Sequence, residues 1–282
     1  MTTFDGIPTL RWSPWIACLL LTVSAGAEKD PVASGEGWVE RFKNTGVLAG
    51  WTGANQAGKV TESTAWDHDG NGRSLMCLMK RDETDTPSGG CHAEMHLDTF
   101  PDGKPVGQNP GFSLFTSHWV KFDVNCSGLD VGFWQLKNSK GPEKWKYLAA
   151  LWRESSGGGD DIVFEVNPAG VDYNIHARLS RDGIAPMKPG SWHHVEVAGC
   201  YTEDKNSWVR VRINGKPVTW YADKEGKKPI GTIWRGQALP VLKNAGWQFQ
   251  VGAYGFFKKD GVTQGTAWID RVLVKTPLVR QK

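Results

Sequence analysis

Short stretches of alternating apolar and polar residues recur along this chain, punctuated by Gly, Pro, Asn and Asp, and they leave few folds open. They include SLMCLMK (74–80), HAEMHLD (92–98), HWVKFDV (118–124), VGFWQLK (131–137), DIVFEVN (161–167), YNIHARL (173–179), SWHHVEVAG (191–199), WQFQVGAY (247–254) and TAWIDRVLVK (266–275). A period of two is the mark of a half-buried strand, and no helical pattern intervenes. KYLAALWRE (146–154) has the length of a short helix, but its tryptophan and its neighbours favour a strand. WVRVRINGKPV reads as a hairpin turning at Asn214-Gly215, a pair suited to a tight turn with positive φ. The expected class is all-β: a jelly roll or sandwich of two antiparallel sheets, one of them curved, with a concave substrate cleft.

Strand parity then identifies the residues that share a face. In CHAEMH (91–96), His92, Glu94 and His96 take every second position, about 7 Å apart on one side of a strand. In VGFWQLK, Phe133, Gln135 and Lys137 point one way while Trp134 and Leu136 point the other. In WQFQVGAY, Gln248, Gln250 and Tyr254 oppose the apolar set Trp247, Phe249, Val251 and Ala253. YNIHARL places Asn174, His176 and Arg178 together. A merely solvated face would carry Thr, Lys and Glu. His, Gln, Tyr and Arg predominate here instead, which points to a cleft.

The chain has 282 residues, 34 Gly and 15 Trp, with a net charge of +3. So many Trp residues suit the gripping of flat sugar rings, although core packing also uses them. Trp38, Trp51 and Trp66 are open to either use. The charge is too small for nucleic-acid binding, and no basic run is interleaved with aromatics as a single-strand platform requires. Arg11 precedes the short apolar run WIACLLLTV, and Ala25-Gly26-Ala27 follows with the small residues of a signal-peptidase site. Residues 1–27 are therefore expected to be a signal peptide, and 28–282 a single secreted domain with no membrane attachment after cleavage. Removal of Cys18 leaves Cys77, Cys91, Cys126 and Cys200. In a secreted chain these predict two disulfides, Cys77–Cys91 and Cys126–Cys200 being the favoured pairing.

Three chemistries compete for CHAEMH. A metal site has suitable ligand types, but same-face residues of one strand need a further ligand from elsewhere. A glycosidase needs a second carboxylate, with Glu154 and Glu165 as the candidates, about 5–9.5 Å from Glu94. Eliminative cleavage of a uronic-acid polymer fits His, Gln and Tyr better. It requires neutralisation of the sugar carboxylate, a base for the adjacent carbon-bound proton, and an acid for the departing oxygen. Tyr serves in either proton-transfer role, and positive neighbours help it act as a base.

The order AGWTGANQAGKVTES, HAEM, GFWQLKN, KPGSWHHVEVAG, NGKPV and WQFQVGAYG…GTAWIDRVLV resembles the heparin-lyase-type polysaccharide lyases, in particular the fungal glucuronan lyase family (polysaccharide lyase family 20). The resemblance spans residues 38 to 276. G-x-W-H followed by N-G-K is common to concanavalin-like sandwiches and speaks for fold alone. H-x-E, the central-strand Gln and V-G-x-Y carry the chemistry. The resemblance implies a monomeric jelly-roll lyase for β-1,4-linked polyglucuronate that needs no cofactor, with a structural calcium left open. It assigns Tyr254 as base and acid, Gln135 to the carboxylate, and His92 to neutralisation or proton removal. Parity adds Lys137, His176, Arg178, Gln248, Gln250 and Glu94 as substrate-binding residues. Gln250 stands where related lyases often carry a basic residue. Asp67-His68-Asp69-Gly70-Asn71-Gly72 begins like a calcium loop but has Leu78 at the twelfth position, so it is not an EF-hand. His193 and His194 are expected to pack at a strand start.

Overall fold

A computed structural model describes residues 37–40, 52–56, 58–68, 73–81, 90–99, 105–108, 111–126, 129–138, 147–154, 161–166, 175–178, 187–221, 228–235, 246–257 and 261–275. The expected signal peptide lies outside them, as do Trp51 and residues 69–72 of the calcium-like loop.

Two antiparallel sheets form a sandwich. The outer sheet runs β14 (Lys216–Pro217), β13 (Trp208–Ile213), β12 (Trp192–Thr202), β7 (Gly111–Phe122), β19 (Gln264–Lys275), β4 (Ser74–Lys80) and β3 (Gly58–Ser63). Beside it, β1 (Gly37–Glu40) pairs with β19, and β17 (Trp234–Arg235) with β13. The second sheet runs β11 (Ile175–Arg178), β10 (Asp161–Val166), β9 (Tyr147–Glu154), β8 (Leu129–Asn138), β18 (Gly246–Phe257), β5 (Gly90–Leu97) and β2 (Thr52–Gln56), with β6 (Gly107–Gln108) on β18. A separate ribbon joins β15 (Trp220–Tyr221) to β16 (Pro229–Gly231). YLAALWRE (Tyr147–Glu154) is a strand, and the hairpin turns at Asn214 and Gly215 with φ of 51° and 76°.

Alternation explains the core. Val195, Val197, Val209, Val211 and Ile213 from the outer sheet meet Met95, Leu136, Phe249 and Val251 from the other. Trp134 crosses the gap, donating its buried indole N–H to Thr116 Oγ1 at 2.7 Å. Arg153, fully buried, is held by Met187 O (3.3 Å) and Cys126 O (3.1 Å) and lies over the Phe122 ring. A buried guanidinium persists only when its donors are satisfied in this way.

The disulfide expectation is corrected. Cys77, Cys126 and Cys200 are buried free thiols. Cys77 faces the core from β4, whereas Cys91 belongs to β5 of the opposite sheet. Cys126 packs in the core and donates to Thr266 O at 3.1 Å; burial pushes its thiol up to about 11. Cys200 alternates with Glu196 and Ala198 on the other side of the outer sheet.

A second correction concerns parity on β8. Phe133 does not share a face with Gln135; it packs in the core at 5.6 Å from Phe122. The register between β8 and β9 shifts between Gly132 and Trp134, and this bulge turns both Phe133 and Trp134 inward. The extra residue reverses the alternation on one side of the bulge while leaving it intact beyond.

Candidate active site

The concave face is a grid set by register. One row crosses the sheet as His92 (β5), Tyr254 (β18), Gly132 (β8), Trp152 (β9), Val163 (β10) and Arg178 (β11). A second row runs His96, Gln250, Gln135, Ala150, Glu165 and His176. Gln248 and Lys137 form a third pair. Glu94 lies opposite Gly252, between the first two rows on β5.

Tyr254 is the only half-buried member of this group of described side chains; Glu94, His96, Gln135, Lys137, Gln248 and Gln250 are all buried. Its ring packs on Trp152 at 5.4 Å, and Lys137 Nζ stands 5.2 Å from the ring centroid. Gly132 leaves room between them. A Cβ there would meet the Trp152 ring at 2.9 Å and Gln135 Nε2 at 3.0 Å. Gln135 Nε2 therefore sits over this glycine, buried and without a hydrogen-bond partner among the described residues. Ala150, Trp152 and Val163 form a small apolar floor against which Tyr254 rests.

Electrostatics follow from this burial. The Tyr254 hydroxyl is pushed up to about 12, first by desolvation and then by the Glu94 carboxylate. Burial lowers the Lys137 ammonium, and Glu94 partly opposes that shift. Tyr254 at rest is thus a protonated hydroxyl, ready to donate a proton.

Gln135, Lys137, Glu94, Gln248, Gln250 and Tyr254 come together as their parity predicts. His92 stands beside Tyr254 in the register, but its side chain lies outside the described part of the structure, as do those of His176 and Arg178. His176 and Arg178 occupy a strand four steps from β18, about 19 Å away, so they belong to the flank of the cleft rather than its centre. The glycosidase pairing does not form. Glu165 is four strands from Glu94, about 19 Å, while Glu154 is three strands away and offset along them, both outside glycosidase range.

Several residues of the site were not singled out from sequence: Trp152, Gly132, Gly252 and Asp98. Parity held signals for two of them, since HAEMHLD continues to Asp98 and LWRE places Trp152 with Ala150. Both expected packing histidines lie away from this face. His193 bonds Lys188 O and Asn214 in the outer sheet, and His194 stacks on Trp119 at 4.8 Å. Trp66, 47% exposed, lies on that same sheet's outer side against Lys121 and Trp268. Among the described residues, no group of three or more His, Cys, Asp and Glu is placed to hold a metal ion.

No family model and no curated protein matches the chain. Solved structures do match its fold. The endo-β-1,4-glucuronan lyase from the fungus Trichoderma reesei is 14% identical with a TM-score of 0.63, over 86% of this chain and 96% of that one. The cellulose induced protein Cip1 is 14% identical with a TM-score of 0.52, over 85% and 97%. Alginate lyase A1-II′ is 12% identical with a TM-score of 0.52, over 82% and 96%. The chain has the jelly-roll fold of polysaccharide lyases. Since one fold can host several chemistries, its function rests on the residues of the cleft.

Proposed function

We propose that the protein is a secreted, monomeric polysaccharide lyase that cleaves a uronic-acid polymer, β-1,4-glucuronan first among candidates, by β-elimination. The observation that carries this reading is the Gln135 amide donor, without a partner among the described residues, beside Tyr254 and Lys137 on the face of a lyase-type jelly roll. Gln135 Nε2 and the Lys137 ammonium hold the sugar carboxylate, so that charge developing on the adjacent carbon spreads into it. Tyr254 first loses its hydroxyl proton to solvent, and the resulting tyrosinate removes the proton from that carbon. The electron pair forms a carbon–carbon double bond as the bond to the glycosidic oxygen breaks, and that oxygen takes a proton from Tyr254. No water is consumed. His92, Tyr254's neighbour in the register, assists neutralisation or proton removal. Because the Tyr254 hydroxyl is raised, its acid half is ready at neutral pH and its base half limits the rate, which rises towards alkaline pH.

The test is ultraviolet absorbance during incubation with glucuronan, alginate and heparin, beside Tyr254→Phe. Elimination leaves an absorbing unsaturated uronate. The expected result is a rise on one polymer, reduced at least a thousandfold in the variant, given that the residue serves both proton transfers and each is worth roughly 10²–10⁴. Binding of polymer with no rise on any of them would leave a sugar-binding module instead.

A further inference from the structure

The elimination chemistry leaves one arrangement on the concave face unused: a hydrogen-bonded line through Asp98, Gln248 and Gln250. Asp98 lies just past the end of β5 and by alternation follows Glu94 and His96 on their face. Gln248 Nε2 donates to Asp98 Oδ1 at 2.9 Å, and Gln250 Nε2 donates to Gln248 Oε1. Chemistry fixes this direction. A carboxylate only accepts, so Gln248 must turn its NH₂ towards Asp98, and Gln250 then meets the Gln248 carbonyl. Gln250 uses its NH₂ there and keeps Oε1 as the free end of the line. That oxygen is buried without a partner among the described residues. Directly across the register, Gln135 presents the opposite polarity, a buried Nε2 without a partner. Adjacent strands therefore offer an acceptor and a donor side by side, neither satisfied among the described residues.

Two unsatisfied buried groups of opposite sense are costly unless a ligand completes them. A sugar unit with a carboxylate for Gln135 and a hydroxyl hydrogen for Gln250 does so. A sulfated or acylated hydroxyl has no hydrogen to give, and a sulfate would also set its negative charge against Gln250 Oε1. We propose that Asp98 is a positioning residue that sets the polarity of this line, and that the line selects uronates carrying a free hydroxyl over sulfated or O-acylated ones. The inference deepens the proposed function and takes its class of ligand, an acidic polysaccharide, from that reading.

Binding tests it without requiring turnover. In a Tyr254→Phe background, affinity is measured for glucuronan and for chemically O-acetylated glucuronan. The background variant binds the unmodified polymer more tightly. Adding Asp98→Asn, which permits either amide direction, weakens that binding about tenfold and narrows the preference between the two forms, as loss of about one hydrogen bond implies. Asp98→Glu restores the preference, which a purely structural effect of Asp98 would not produce. An unchanged preference in Asp98→Asn overturns the proposal, as does failure of the background variant to bind either polymer. Should thermal unfolding show that Asp98→Asn does not fold, Gln250→Met is measured instead, and an unchanged preference there overturns it equally. A normal preference in a wild-type protein that never generates the unsaturated product would remove the lyase reading and leave the selectivity of this line intact.

Discussion

At the scale of single residues, burial does most to raise the Tyr254 hydroxyl, and Glu94 is the side chain that adds to it. It raises Tyr254 and supports the Lys137 ammonium at once. Glu94→Gln removes the charge that disfavours tyrosinate, so Tyr254 should titrate at lower pH, and the alkaline rise in rate should move the same way. The tyrosinate absorbance of the variant, taken as a difference against the corresponding Tyr254→Phe protein, reads the first shift directly; an unmoved titration would mean that burial alone sets it. His118 makes a different prediction. It is fully buried, packs 6.2 Å from Phe133, and neither ring nitrogen has a hydrogen-bond partner among the described residues. Burial, with a smaller contribution from His194, lowers it from the usual 6.5 to about 3. Between those values the unfolded chain takes a proton that the native protein refuses. Stability is therefore full above about pH 6.5 and falls on acidification by up to about 1.4 kcal/mol per pH unit. Denaturant melts across that window should be steep for the wild type and flatter for His118→Met.

At the scale of strands, the site depends on two irregularities. The β18–β8 register shifts between Val251 and Tyr254, and Gly252 sits in that interval with φ of +147°. A Cβ there would stand 2.5 Å from Ala93 O and 2.6 Å from Glu94 Cα, both backbone atoms of β5. Gly252→Ala should therefore cost several kcal/mol, combining positive-φ strain with a clash that cannot relax by side-chain rotation. Its thermal midpoint should fall far more than that of an alanine at exposed Gly190, which shares the positive φ (+89°) but where a Cβ meets nothing within 4 Å, and comparable midpoints would contradict this reading of the clash. These irregularities also mark where sequence reasoning succeeded and failed. WQFQVGAY keeps its alternation against β5, so Gln248, Gln250 and Tyr254 were legible by counting. VGFWQLK contains a bulge, and counting put Phe133 on the wrong face. A bulge is a property of two paired strands, and one strand's sequence does not announce it.

For the molecule as a whole, turn spacing and alternation carried the two-sheet architecture, because each strand buries one face and cannot do so alone. The disulfide expectation failed for a reason of the same scale. An even number of cysteines says nothing about which sheet each one faces, and the sandwich puts Cys77, Cys126 and Cys200 where they serve as small apolar side chains. The Asp98–Gln248 bond was likewise out of reach, since it joins residues 150 positions apart and acquires meaning only through Gln250. What the assembled cleft should do is eliminate rather than hydrolyse. The most direct measurement is mass analysis of the products formed from glucuronan in water enriched in heavy oxygen. Elimination predicts unsaturated chain ends and no solvent oxygen beyond the slow exchange at reducing ends measured on unlabelled products under the same conditions; saturated ends carrying one heavy oxygen per cleavage would contradict it.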